Sequence, residues 1–161
     1  MKNKIRLILL CSALITALGP SASFGGEPPT SIGQMIYVPV YSHIYGGDRE
    51  DPFYLTATVS IRNIDTEFSL TISKVDYYST DGKYLKGFLK EPLILQPLSS
   101  VRYVIKESDK SGGAGAKFII TWESKTPVLP VLVEAVMIGT SSMQGISFTS
   151  RGVVLKENGP H

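Results

Sequence analysis

The sequence predicts an all-β fold: an antiparallel β-sandwich of about seven to eight strands, immunoglobulin-like, with a small β-barrel as the alternative. Three observations carry that expectation. Apolar residues recur with a period of two along most of the chain. The alternating runs are short and separated by Gly, Pro, Asn and Asp. No window of useful length holds a helical 3.6 period.

Ile36, Val38 and Val40 alternate with Tyr37, Pro39 and Tyr41. Proline has no N–H to give a ladder, so this first run is expected at a sheet edge or at a bulge. The clearest strand runs from Phe53 to Ile61, with Phe53, Leu55, Ala57, Val59 and Ile61 on the core face. Thr56, Thr58, Ser60 and Arg62 face outward. Phe68, Leu70 and Ile72 then alternate before the parity moves to Val75 and Tyr77, which places a bulge near Ser73–Lys74. Thr80-Asp81-Gly82-Lys83 reads as a hairpin turn of the primed kind. Tyr84 to Leu95 follows, with Glu91-Pro92 as a point where it splits into two strands. Val101, Tyr103 and Ile105, then Phe118, Ile120 and Trp122, then Val131, Val133, Ala135 and Met137 give three further inward faces. Ile146, Phe148 and the Val153–Leu155 run close the domain.

The N-terminus reads as an export signal. Lys2, Lys4 and Arg6 form a basic n-region, Leu7 to Leu18 an apolar h-region, and Gly19 to Gly26 a small-residue exit. The apolar run is shorter than the about 20 residues that span a bilayer. Cleavage is expected after Ser23 or Gly25. Cys11, the one cysteine, follows Leu10 and lies inside the apolar run, without the small residue that lipidation requires. The division is therefore a signal peptide (1–23), a flexible linker (24–33), the sandwich domain (34–155) and a loose tail (156–161). The mature protein is expected to be periplasmic or extracellular, with no membrane span.

Removing the signal takes Lys+Arg from 16 to 13 against 14 Asp+Glu, so the mature net charge is near −1. Nothing in that balance attracts nucleic acid. With no mature cysteine, disulfide and thiolate chemistry are excluded. No cofactor is implied.

Several segments resemble the bacterial family called domain of unknown function 3124: YVPVYSHIYGGDRE (37–50), LTATVSIRNID (55–65), VDYYSTDGKYLK (75–86), ESDKSGGAGAKFIITWES (107–124) and VEAVMIGTSSMQGISFTSRG (133–152). The resemblance spans the mature domain and implies a bacterial envelope setting. It brings no activity, cofactor or catalytic residues.

Candidate chemistry gathers in the loops. His43 lies in Tyr41-Ser42-His43-Ile44-Tyr45 beside Asp48, Arg49, Glu50 and Asp51. A small hydrolase-like or metal-binding site could be centred there. The competing reading is a strand-ending histidine beside a solvated, mixed-charge loop, since these acids lack the spacing of a calcium loop. The Gly-rich run Ser111–Lys117 lacks both Gly-Lys-Ser/Thr and a following helix, so it reads as a hairpin connection rather than a phosphate loop. Gly145-Ile146-Ser147-Phe148-Thr149 misses the final glycine of a nucleophile elbow. Tyr37, Tyr41 and Tyr45 share one parity and suggest a tyrosine stripe.

If strands reverse at each connection, the loops at 42–51, 80–83, 107–116 and 140–145 fall at one end. The loops at 63–67, 96–100 and 124–130 fall at the other. The first end holds His43, Tyr41, Tyr45, Asp48, Arg49, Glu50, Asp51, Asp81, Asp109 and Met143. These residues are the expected binding surface of a non-catalytic module whose partner is an envelope protein or glycan.

Overall fold

The computed structural model describes residues 29–48, 50–141 and 144–158. The signal peptide with Cys11, linker residues 24–28, Arg49, Met143 and the last three residues of the tail lie outside the described residues. The chain runs β1 (Ser31–Pro39), β2 (His43–Gly46), β3 (Asp51–Tyr54), β4 (Thr56–Arg62), β5 (Leu70–Tyr78), β6 (Tyr84–Gly87), β7 (Leu93–Leu95), β8 (Ser100–Ile105), β9 (Lys117–Val128), β10 (Leu132–Ser141), β11 (Gln144–Arg151) and β12 (Val153–Glu157).

Two sheets form the sandwich. One has the order β12-β1-β9-β5-β6, with β7 also paired to β5, and the other the order β11-β10-β4-β8. β2 and β3 make a separate hairpin. Every ladder is antiparallel, and neither sheet closes on itself, so the barrel alternative is set aside.

Period-two patterning decides the faces. Leu55, Ala57, Val59, Phe118, Ile120, Trp122, Val133, Ala135 and Met137 are all buried in one core cluster, while Arg62 is exposed and Thr56, Thr58, Ser60 and Thr121 are half-buried. Trp122 is fully enclosed and donates its Nε1–H to Oε1 of Gln34 at 3.2 Å. A parity change in β5 is real: the β5–β9 register shifts between Ile72 and Lys74, which brings Val75 and Tyr77 into the core.

Several local expectations are corrected. β1 is not an edge strand, because β12 lies beyond it. Pro39 is tolerated at the strand's last position, past Tyr37, the last β1 residue that β12 pairs with. The register of β1 shifts instead between Met35 and Ile36 against β12 and between Ser31 and Gly33 against β9. Phe53 to Ile61 keeps its parity but is two strands, since β3 pairs with β2 and β4 joins the sandwich. The Asp81-Gly82 turn is not primed: Gly82 alone has positive φ, at 77°, and the β5–β6 register slips between Tyr77 and Tyr78. That is the bulged hairpin, in which one left-handed glycine follows the turn.

Tyr84–Leu95 does split at Glu91-Pro92, yet the chain does not reverse there. β6 and β7 both run antiparallel to the same β5, so they act as one strand interrupted by an excursion. That excursion packs Phe88 and Leu89 against the core. The loose tail is corrected at its start: Lys156 and Glu157 belong to β12, and the Glu157 carboxylate accepts from Ser31 Oγ (2.7 Å) and Gln34 Nε2 (2.5 Å). The linker likewise ends early, because β1 begins at Ser31.

Candidate functional site

The order of the strands gathers the loops into two ends, and backbone hydrogen bonds fix each end. At the first, Ser42 N–H donates to Gly113 O (3.1 Å), Leu55 N–H to Ser42 O (3.0 Å) and Thr80 N–H to Gly112 O (2.7 Å). The β2–β3 hairpin, the β5–β6 turn and the Gly-rich β8–β9 loop are thereby tied together. The end of β10 joins them, since Gly139 lies directly against the Tyr54 carbonyl and the Phe53 ring.

The Gly-rich loop has a structural reason for its composition. A Cβ on Gly112 would collide with the hydroxyl of Tyr77, which is itself buried. That hydroxyl lies 3.3 Å from Ser42 Oγ, and burial raises its pKa above the ordinary tyrosine value. Thr80 completes the clamp by donating Oγ1–H to Gly112 O at 3.0 Å and accepting from Gly115 N–H at 2.9 Å.

His43 stands edge-on between two tyrosines, with ring centroids 5.0 Å from Tyr45 and 5.9 Å from Tyr54. Its Nε2 is 3.1 Å from the Tyr45 hydroxyl, and its buried Nδ1 has no hydrogen-bond partner. Asp48, Glu50 and Asp51 are exposed on the tight β2–β3 loop, which turns through positive φ at Gly47 (68°) and Glu50 (53°). Among the described residues no group of three His, Cys, Asp or Glu side chains is placed to hold a metal. The contacts of the ring are those with the two tyrosines, so it is part of an aromatic cluster. The tyrosine stripe is likewise divided: Tyr41 packs edge-on against Phe148 at 5.5 Å, and only Tyr45 is well exposed, at 58%.

Two remaining candidates lie on the other loops of this end. Asp81 is exposed at the tip of the β5–β6 turn. Asp109 accepts from Ser111 Oγ (2.5 Å), Ser111 N (3.1 Å) and Lys86 Nζ (3.3 Å). The Ser111 hydroxyl, followed by the Ser111 amide and Lys86, holds its carboxyl below the ordinary value.

What the spacing of residues did not foretell is Lys110. Its ammonium lies 3.9 Å from the centroid of the Tyr54 ring. Both line a shallow, open depression of ≈ 570 Å³ together with Lys106, Glu107 and Ser108. β3 supplies the ring and the loop after β8 supplies the cation, so no sequence window contains both. This end can offer a ligand an aromatic ring, two ammonium groups, a hydroxyl and flanking carboxylates.

Comparison with known proteins gives a family and little else. The family model described as "Protein of unknown function (DUF3124)" matches residues 33–155. No curated protein matches the chain. The solved structure titled "Crystal Structure of Thermotoga maritima 1070" is 13% identical, with a TM-score of 0.46, over 78% of this chain and 97% of that one.

Proposed function

We propose that this chain, which belongs to the DUF3124 family of proteins of unknown function, is an exported bacterial envelope domain that binds a partner through the loops at one end of its sandwich. The single observation that carries this reading is the construction of that end. Three connections from distant parts of the chain are bonded to one another through their backbones. They present Tyr45, the Lys110–Tyr54 pair and exposed carboxylates on a surface that is fixed before any partner arrives. Binding on loops held by a rigid scaffold is a recurrent use of sandwiches. An aromatic ring under a cation, with hydroxyls and carboxylates nearby, suits an envelope protein or a glycan.

Export rests on the basic, apolar and small-residue segments of 1–23. No helix of the described residues is long and apolar enough to cross a membrane.

The test is retention of envelope components on the immobilised protein, compared with Tyr45→Ala, Lys110→Ala and an outward-face control, Ser60→Ala. The reading expects one component to be retained by the wild type and the control and lost by both loop variants. Retention indifferent to Tyr45 and Lys110 contradicts it.

A further inference from the structure

The depression at the loop end holds two ammonium groups that pair with no carboxylate among the described residues. The ion pairs there are Lys86–Asp109 and Arg151–Glu134. Lys106 and Lys110 belong to neither, and both line the depression with Tyr54, Glu107 and Ser108. A backbone turn brings them together. Asp109 N–H donates to Lys106 O at 2.9 Å and closes the turn that follows β8, so the lysines on either side of it reach one hollow.

Lys110 is held by a ring instead of by an acid. Its ammonium sits 3.9 Å from the Tyr54 centroid, and the same ring meets that of His43 at 5.9 Å. An ammonium over an aromatic face keeps its charge and has N–H donors left for a ligand. The nearest acid in the chain is already engaged: Asp109 accepts from Lys86 Nζ at 3.3 Å and from the hydroxyl and amide of Ser111. The depression thus presents a cation placed before any ligand arrives, which lowers the ordering cost of binding.

Two ammonium groups in one hollow call for an anion. The acids around them say which kind. Glu107 lines the same depression, and Asp48, Glu50, Asp51 and Asp81 are exposed elsewhere on this end. A chain dense in carboxylates, such as an acidic peptide, meets those like charges and is repelled. A ligand with one anionic group among many hydroxyls is not. Its anion meets the lysines, while the Glu107 carboxylate accepts from its hydroxyls and the Ser108 hydroxyl donates or accepts as needed.

We propose that the depression binds an acidic saccharide, a sugar residue bearing a single carboxylate, which Lys106 and Lys110 hold while Glu107 and Ser108 take its hydroxyls. The assignment depends on the loop end being the binding surface, and it narrows the partner to one class of glycan. Because the depression is open to solvent, salt weakens the contact.

NMR titration of the purified protein tests this, with oligosaccharides of galacturonic, glucuronic and N-acetylneuraminic acid, each beside its carboxyl methyl ester. At least one acid is expected to bind, and its ester about tenfold more weakly. Lys106→Ala and Lys110→Ala each weaken the acid by about threefold to fivefold. Lys110→Arg, which keeps the charge and the stacking on Tyr54, retains it. An ester that binds as well as its acid overturns the proposal, and so does acid binding indifferent to both lysines. A Glu-rich peptide forms a second arm: if it binds more tightly than every saccharide, the depression belongs to an acidic protein instead. If no acid binds while envelope components are still retained through Tyr45 and Lys110, the saccharide assignment fails and the loop-end reading stands. Retention indifferent to those two residues removes the loop-end reading and the assignment with it.

Discussion

Trp122 and Gln34 meet in the middle of the larger sheet, where the indole Nε1–H donates to the buried amide oxygen at 3.2 Å. Gln34 passes the link on by donating Nε2–H to Glu157. One polar chain thus connects the core tryptophan of β9, through β1, to the outermost strand β12. It explains why a glutamine is buried in an apolar core and why the C-terminal strand stays docked although all five of its residues are exposed.

Trp122→Ala is therefore expected to cost about 3–5 kcal/mol, because it empties a fully enclosed site. Trp122→Phe removes less volume but leaves the Gln34 acceptor unpaired, at about 1–3 kcal/mol. Urea denaturation of the two variants measures both. A nearly neutral Trp122→Ala contradicts the assigned core.

Asp65 makes stability depend on acid. Hydrogen bonds from the Glu67, Phe68 and Leu129 amides lower its pKa below the ordinary value. Its folded-state pKa is thus below the unfolded one. The contribution is fully present above the unfolded value of about 3.9 and is lost as pH falls through the folded value. Asp65→Asn should destabilise the protein at neutral pH and lose that disadvantage progressively below about pH 4. Thermal melts of both proteins from pH 7 to pH 2 decide it. A gap that stays constant over that range assigns the effect to shape rather than charge.

Gly112→Ala should destabilise by about 1–3 kcal/mol, since its Cβ meets the Tyr77 hydroxyl in a site with no room to yield. The same substitution at Gly145, where nothing lies within 4 Å, should be close to neutral. Comparable losses at both positions would mean that the contact with Tyr77 is not the cause.

Leu98→Gly should raise the stability of the protein by about 1 kcal/mol, by releasing a left-handed leucine. Differential scanning calorimetry measures that effect. A lower melting temperature would show that the leucine packs within its own chain.

Much of the fold was legible because it rests on period-two patterning. The buried faces of β4, β9 and β10 follow directly from Val59, Ile120 and Ala135 and their alternate neighbours, and the β5 bulge follows from the parity change before Val75. The edge assignment of β1 failed because Pro39 restricts only its own position. One residue cannot say whether another strand lies beyond its N-terminal half. The β6–β7 excursion kept its direction because Phe88 and Leu89 found the core without a reversal, a tertiary outcome that Glu91-Pro92 does not encode locally.

The candidate site was legible as a place and not as a set of contacts. Counting reversals correctly gathers Ser42, Thr80 and Gly113, which backbone hydrogen bonds then join. The Lys110–Tyr54 pair stayed hidden because its partners lie more than fifty residues apart and neither belongs to a motif. His43 looked chemical in sequence because acids follow it, whereas the β2–β3 register places Tyr54 opposite it and turns its ring into a tyrosine stack.

Export is checked by the intact mass of the secreted protein, expected to begin at Phe24 or Gly26 without lipid. A mass that includes acylated Cys11 would replace the free form with an anchored one.

The central claim is that the partner meets the loop end, and photocrosslinking in the intact cell tests it most directly. A photoreactive amino acid placed at Tyr45 or Asp81, both exposed at that end, is expected to capture the same partner. The same probe at Ser60, on the outward face of β4, is expected to capture none. Adducts at Ser60 with none at Tyr45 or Asp81 would contradict the account.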